Sequence, residues 1–115
     1  MKRMLTLVVG LVLAGGSARA LSAQQVDGQA VYREECKSCH GINGVPPARE
    51  AAKYKKLRAL GDSGFVSGIS QDSIVVILTR GIDTNMKPFK DKLTVEEMRA
   101  VAIYIHTLAH RRVTH

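Results

Sequence analysis

The most constraining feature of the chain is the stretch ECKSCHG, residues 35–41, which places two thiols and an imidazole within five positions. Cys36 and Cys39 are the only cysteines in the 115 residues, and His40 follows directly. Side chains three and four positions apart share one face of a helical turn. The spacing therefore predicts that the three side chains converge on a single site.

Three kinds of site use two thiols at this spacing. A redox-active Cys-x-x-Cys disulfide begins a helix that follows a strand, and nothing before Cys36 has strand character. A structural zinc site needs four ligands, and the other histidines lack finger-like spacing. The third kind is a c-type haem site, for which Cys-x-x-Cys-His is the attachment signature. There, Cys36 and Cys39 add across the haem vinyl groups as thioethers, and His40 binds the iron.

The first 20 residues indicate a secretory signal peptide. Two basic residues open the segment, residues 4–14 are apolar, and residues 18–20 have the small-x-small pattern of a cleavage site. A membrane span needs about 20 apolar residues, so we expect no stable membrane insertion of the mature chain. Cleavage is predicted after residue 20, with residue 23 as the alternative. Export agrees with haem attachment, which takes place outside the cytoplasm.

Removing this segment changes the charge and size that matter for function. Loss of Lys2, Arg3 and Arg19 leaves 14 Lys and Arg against 10 Asp and Glu, a net charge of +4 instead of +7. This modest excess disfavours nucleic acid as a partner and is compatible with docking to acidic surfaces. The remaining chain has a thin core, with no Trp and only two Phe. We therefore expect a bound group to fill its centre.

The rest of the chain predicts an all-α domain over residues 24–112. Its helix signals are N-cap residues and glycine stops around apolar residues at helical spacing. The expected helices run from Asp27 to the cysteines, over 48–60, over 70–80 and from Thr94 onwards, with loops at 41–47, at 61–69 and after Gly81.

The last helix has the clearest signals. Thr94 as N-cap and Glu97 at N3 form a capping box, and Leu93 can pack on Met98 as a hydrophobic staple. An apolar stripe on this helix predicts its buried face. The stripe consists of Met98, Val101, Ala102, Ile105 and Leu108.

With these motifs the chain resembles the class I c-type cytochromes, most closely the small bacterial single-haem members. In GQAVYREECKSCHG, Gly28 and Tyr32 stand where the family has a small residue and an aromatic on its first helix. In AIYIHTL, Tyr104 and Ile105 stand where their packing partners fall. The resemblance covers essentially the whole mature chain. It implies a small cytochrome c fold of three to four helices around one covalently bound haem.

The segment NMKPFKDKLTVEE resembles the family's loop that carries a methionine ligand, which makes Met86 the second axial iron ligand opposite His40. Pro88 stiffens the backbone beside it. Met98, on the apolar stripe, is expected to pack in the core instead. The three remaining histidines are expected to be solvated surface residues. They are His106, His110 and His115.

A ligating histidine donates its other ring N–H to a carbonyl or carboxylate. In the family that acceptor is a loop proline carbonyl, so the resemblance points to Pro46 or Pro47, whose alternative role is turn formation. The basic residues 49–58 include candidates for the haem propionates, with no preference among them.

Two protein ligands leave the iron no free position, so the resemblance implies a periplasmic electron carrier rather than an enzyme. We expect a monomer that docks transiently with other redox proteins. Four lysines near the expected haem edge either steer acidic partners or are ordinary solvated residues. They are Lys37, Lys87, Lys90 and Lys92. Two alternatives stay open: a haem subunit of a larger oxidoreductase, and a ligand-binding or peroxidatic haem protein in which Met86 does not bind.

Overall fold

A computed structural model describes residues 24–112, so the predicted signal segment lies outside the described residues. Within this range the chain is helical, with a single isolated bridge between Ile82 and Met86 and no strand. None of its helices combines the length and apolarity needed to cross a membrane. The helices are α1 (Gly28–Glu35), α2 (Lys37–His40), α3 (Ala48–Lys53), α4 (Ser63–Val66), α5 (Gln71–Arg80) and α6 (Val95–Arg111).

The all-α prediction is confirmed, but the described range holds six helices instead of three to four. The first predicted helix is divided at Cys36, whose φ of −115° and ψ of −35° separate α1 from α2. The sixth helix is the single turn α4, which lies within the predicted 61–69 loop. Its signal is Asp62, whose carboxylate accepts hydrogen bonds from the backbone N–H of Gly64 at 2.9 Å and of Phe65 at 3.3 Å.

The crossing of α1 and α6 forms the centre of the fold. A Cβ on Gly28 would collide with the carbonyl oxygen of Ala100, so only glycine lets the two backbones approach this closely. Tyr32 is fully buried, and its ring lies 5.2 Å from that of Tyr104 at 56°. The Tyr32 hydroxyl donates a 2.7 Å hydrogen bond to the Gly41 carbonyl. The packing implied for Gly28 and Tyr32 is thus confirmed.

Helix α6 begins as predicted. The Thr94 hydroxyl accepts from the Glu97 N–H at 3.1 Å, and the Glu97 carboxylate accepts from the Thr94 N–H at 2.8 Å. Such a cap is worth about 1 kcal/mol. Leu93 joins Met98 in the buried cluster, as the staple requires, and the whole predicted stripe is buried with them.

Helix α5 joins α6 along this stripe. The Ser70 hydroxyl accepts from the Ser73 N–H at 3.0 Å and starts the helix, so the β-branched run that follows is helical, as predicted. Near its other end the Thr79 hydroxyl donates to the Val75 carbonyl at 2.7 Å and lies 3.7 Å from the Met98 sulfur. The sulfur of Met98 is therefore part of the core between α5 and α6.

The predicted 48–60 helix is wrong beyond residue 53. Helix α3 ends at Lys53, and Tyr54 is extended, with φ of −111° and ψ of 91°. A continued helix would place Lys56 one turn after Lys53, and like charges at this spacing are destabilising. Residues 54–60 instead form irregular backbone that runs along the cavity described next.

Candidate haem site

One cavity brings together all four residues that the sequence predicted for the site: Cys36, Cys39, His40 and Met86. It has about 1360 Å³ of empty space, including its open mouth. Most of its other lining residues are apolar, so the cavity fits a large flat apolar group. The apolar lining consists of Leu57, Leu60, Phe65, Val66, Ile69, Ile74, Ile77, Leu78, Ile82, Phe89 and Ile105.

One side of the cavity, the histidine wall, is built from residues 36–40 and Arg58. The Cys36 carbonyl accepts from the His40 N–H at 3.0 Å, and the Lys37 carbonyl accepts from the Gly41 N–H at 2.8 Å. These bonds close a single helical turn. The turn places two free thiols and the imidazole on the same cavity.

The environment of Cys36 is that of an inert thiol. Burial, together with the nearby Glu35 carboxylate and the Cys39 thiol, raises the pKa of Cys36 to about 12. Redox-active cysteines have lowered pKa values and lie in electropositive surroundings. In addition, helix α1 rather than a strand precedes Cys36. The surroundings of Cys36 therefore do not favour a disulfide oxidoreductase site.

His40 is held by a backbone carbonyl, but not by that of a proline. Its Nδ1 lies 3.4 Å from the Arg58 carbonyl oxygen, so the expectation of Pro46 or Pro47 is wrong. The Pro47 carbonyl instead accepts from the Ala51 N–H at 2.9 Å and starts α3. A carbonyl only accepts, so this hydrogen bond requires the proton on Nδ1 and leaves the Nε2 lone pair available for a metal.

Burial lowers the pKa of His40, with the Arg58 carbonyl acting weakly in the opposite direction. The neutral imidazole is thereby favoured, which is the form that binds iron.

A second part of the lining, the methionine wall, is the loop of residues 81–89. Gly81 ends α5 with φ of 73° and ψ of −178°, a conformation that is essentially restricted to glycine. Ile82 and Met86 then exchange backbone hydrogen bonds of 2.8 and 3.1 Å, and the Phe89 N–H donates to the Leu78 carbonyl at 2.8 Å. These bonds define a short hairpin that places the half-buried Met86 on the cavity.

The other sulfur and imidazole groups lie away from this cavity. Met98 is in the core, as predicted. His110 is exposed as expected, and His115 lies outside the described residues. For His106 the expectation is wrong: it is half-buried, and its Nε2 has no solvent contact and no hydrogen-bond partner within residues 24–112. The physical reason is its position one turn from Ala102 and Ala109, at the border of the buried face of α6.

Charged groups surround the mouth of the cavity. Lys56, Arg58 and Lys87 line it, and the Arg58 guanidinium lies 5.1 Å from the Phe65 ring centroid. Lys92 forms a 2.6 Å ion pair with Glu35, whose side chain is only 13% exposed. Sequence reasoning missed the roles of Arg58 and Glu35, because neither has a local signal.

These residues fit haem c. Two thiols and a neutral imidazole lie on one wall, a thioether sulfur lies on the other, and the space between them is apolar. This donor set is the one that c-type cytochromes with His and Met ligands use. Lys56 and Arg58 reach the cavity among the basic residues considered for the propionates.

Comparisons with known proteins agree with this chemistry. The family model described as cytochrome c oxidase, cbb3-type, subunit III matches residues 23–105. The chain is 31% identical to the chloroplastic cytochrome c6 of Chlamydomonas reinhardtii over 88% of its own length and 66% of that protein. It is 29% identical to cytochrome c6 of Nostoc sp. (strain PCC 7120) over 91% of its length and 92% of that protein.

Among solved structures, the KustC0563 c-type cytochrome superposes with a TM-score of 0.65 at 30% identity. The match covers 72% of this chain and 98% of that one. Family, fold and cavity thus agree: the chain belongs to the c-type cytochrome family that the cbb3-type subunit III model describes, as a small class I member, and is an electron-transfer protein with haem c as its cofactor.

Proposed function

We propose that the chain is an exported carrier of single electrons with one haem held covalently by Cys36 and Cys39. In this proposal His40 and Met86 are the axial iron ligands. The observation that carries it is that all four side chains line the same apolar cavity. One haem per chain follows because the sequence has only one pair of cysteines.

Bound haem c supplies a one-electron iron couple. The protein's own contribution is to keep the surroundings of that couple constant. His40 is fixed by one closed helical turn and the Arg58 carbonyl, and Met86 is fixed by its paired hairpin backbone. Both ligands then stay in place in either oxidation state. The thioether of Met86 and the apolar lining favour the less charged, reduced state and raise the reduction potential.

Docking to partners is proposed to use exposed cations that neighbour the site residues in sequence. Lys37, Lys87 and Lys90 are exposed, whereas Lys92 is paired with Glu35 and contributes less charge to the surface. Exposed charges act mainly on the rate of encounter, and salt screens them. A monomer with transient, acidic redox partners is therefore proposed, with an association rate that falls as ionic strength rises.

The test of the ligand assignment is Met86→Ala in the exported, haem-loaded protein, with Met98→Leu as the matched control. Both changes remove a methionine sulfur, but only Met86 lines the cavity from the methionine wall. We expect the weak near-infrared sulfur–iron band of the oxidised protein to disappear in Met86→Ala and to persist in Met98→Leu. The reduction potential should fall in Met86→Ala.

Carbon monoxide distinguishes the ligand-binding alternative. The reduced wild type should bind it poorly and Met86→Ala readily, because only the variant has an open iron position. A wild type without the near-infrared band that binds carbon monoxide readily would contradict the carrier assignment.

A second candidate function is a haem subunit fixed in a larger oxidoreductase. The description of the matching family model, a subunit of cbb3-type cytochrome c oxidase, favours it. The chemistry of the haem site would be the same, and only the permanence of the interface would differ. Size-exclusion chromatography of native extracts separates the two: a free carrier elutes at the size of the monomer, and a subunit elutes with its complex.

A further inference from the structure

The segment of residues 54–60 has one feature that the electron-carrier function alone does not explain. Arg58 interacts at both of its ends: its carbonyl faces His40 Nδ1 at 3.4 Å, and its guanidinium lies 5.1 Å from the Phe65 ring centroid. We infer that this Arg58–Phe65 contact, the clamp, positions the carbonyl and thereby sets how strongly His40 donates electron density to iron. The inference rests on the proposed ligation by His40.

The His40 hydrogen bond is sensitive to small displacements. N–H···O bonds are usually about 2.7–3.2 Å long. At 3.4 Å the contact between His40 Nδ1 and the Arg58 carbonyl is longer than usual, so a small displacement of the carbonyl changes the strength of the bond. Whatever fixes this carbonyl therefore controls the bond.

The backbone around Arg58 supplies little of this control. The turn before it is closed by the Leu57 N–H donating to the Tyr54 carbonyl at 3.0 Å. The turn after it is closed by the Asp62 N–H donating to the Ala59 carbonyl at 3.1 Å. Neither bond includes Arg58, and an arginine lacks the ring that restricts φ in proline. The Gly61 N–H donates to the Gly44 carbonyl at 2.9 Å and fixes the end of the segment, but this bond does not include Arg58 either. The contact of the Arg58 side chain with Phe65 is therefore the one that can hold the residue itself.

The Phe65 ring, next to the Arg58 guanidinium, is held in position by helix α4. It lies on α4, where the Asp62 carboxylate caps the helix and the next residue, Val66, is 2% exposed in the core. The planar guanidinium of arginine stacks on aromatic faces in a way that the ammonium group of lysine does not. The Phe65 ring thus restrains the Arg58 side chain, which in turn restrains the position of the Arg58 carbonyl.

The consequence for the iron has a definite sign. A hydrogen bond from the second ring nitrogen raises the basicity of a ligating histidine, and a more basic ligand stabilises the oxidised iron. Loosening the clamp weakens the bond and should favour the reduced state. Arg58 and Phe65 are therefore positioning residues, acting through the carbonyl and His40.

The experiment uses Phe65→Leu and Phe65→Tyr in the haem-loaded, full-length protein. The readout is the reduced-to-oxidised ratio at a fixed ambient potential. Phe65→Leu removes the ring face and should raise the ratio by at most about twofold to fivefold, because the effect cannot exceed the energy of an exposed cation–π contact. A tenfold change would correspond to about 59 mV. Phe65→Tyr keeps the ring face and should change the ratio less than Phe65→Leu does. The near-infrared band should persist in both, because the methionine wall is untouched.

A double-mutant cycle with Arg58→Lys tests the coupling itself. Lysine keeps the positive charge but loses the planar guanidinium, so Arg58→Lys should raise the ratio more when Phe65 is present than in Phe65→Leu. Three results would each contradict the clamp. The first is an equal effect of Arg58→Lys with and without Phe65. The others are equal shifts in the ratio for Phe65→Leu and Phe65→Tyr, and no shift for Phe65→Leu. A wild type that lacks bound haem would overturn the proposed function instead.

Discussion

The two walls of the haem cavity are built in different ways. The histidine wall takes both thiols and the imidazole from five consecutive residues on one helical turn, 36–40. The methionine wall contributes a single side chain, Met86, from a loop that depends on the backbone conformation of Gly81. The first wall is therefore defined by residue identities over a short stretch, and the second by backbone geometry.

This difference implies that a mutation can disrupt one wall and leave the other intact. The backbone bonds of α2 include no residue of the loop 81–89, and the loop bonds that reach back end at Ile77 and Leu78 on α5. Damage to the histidine wall should remove the cofactor. Damage to the methionine wall should leave the cofactor in place and change only its ligation.

The largest expected effect is in the double variant Cys36→Ala and Cys39→Ala, which removes both thiols that are proposed to form thioethers with the haem. Haem should no longer stay with the denatured chain, and acidified organic solvent should extract all of its colour. The matched control is Ser38→Ala, an exposed residue between the two cysteines, which should retain its colour fully. Colour that stays with the denatured double variant would disprove covalent attachment at this motif.

A smaller effect, confined to the methionine wall, is expected for Gly81→Ala. A Cβ there would lie 2.8 Å from the Pro88 nitrogen and would collide with the Met86 carbonyl oxygen, at a φ of 73° that L-residues rarely adopt. Strain of this kind costs about 1–3 kcal/mol. We expect haem to remain attached while the near-infrared band weakens and the urea midpoint falls.

Gly68→Ala is the control for Gly81→Ala. Its nearest contact would be the Phe65 carbonyl oxygen at an ordinary 3.5 Å, so its spectrum and urea midpoint should stay close to those of the wild type. If Gly81→Ala released the haem as well, the walls would be coupled and the comparison drawn above would be wrong.

The same contrast explains how much of the molecule could be predicted from its sequence. The spacing of Cys36, Cys39 and His40 and the capping box at Thr94 and Glu97 are local patterns, and the fold places both as expected. The position of Met86 was available through resemblance to a family, because nothing local distinguishes a loop methionine that binds iron.

Features that depend on distant contacts escaped prediction. The carbonyl that faces His40 belongs to a residue 18 positions away, and any non-proline residue can supply a carbonyl. The end of α3 at Lys53 lets residues 54–60 run along the cavity, and the shielding of His106 depends on the packing around α6. Hydrophobic periodicity and secondary-structure propensity describe one segment at a time, so they carry no information about contacts between segments.

The smallest expected effect concerns the support behind the histidine wall, where the Tyr32 hydroxyl donates to the buried carbonyl of Gly41, the residue that ends α2. Tyr32→Phe keeps the ring against Tyr104 but removes one of the two donors to that carbonyl, which still accepts from the Gly44 N–H at 3.1 Å. The cost at neutral pH should be about 0.5–1.5 kcal/mol. It should appear as a lower urea midpoint with little change in the spectrum.

Alkaline pH makes this prediction specific to the hydroxyl. Burial raises the pKa of Tyr32 above the value of 10.0 for an exposed tyrosine. The unfolded chain therefore ionises first, so the contribution of Tyr32 is complete below pH 10 and is lost as the pH rises further, by at most about 1.4 kcal/mol per pH unit. Phenylalanine has no such loss, while all other groups titrate in both proteins. The difference in unfolding free energy between the wild type and Tyr32→Phe should therefore become smaller between pH 9 and pH 11. A difference that stays constant or grows would show that folding does not keep the Tyr32 hydroxyl neutral.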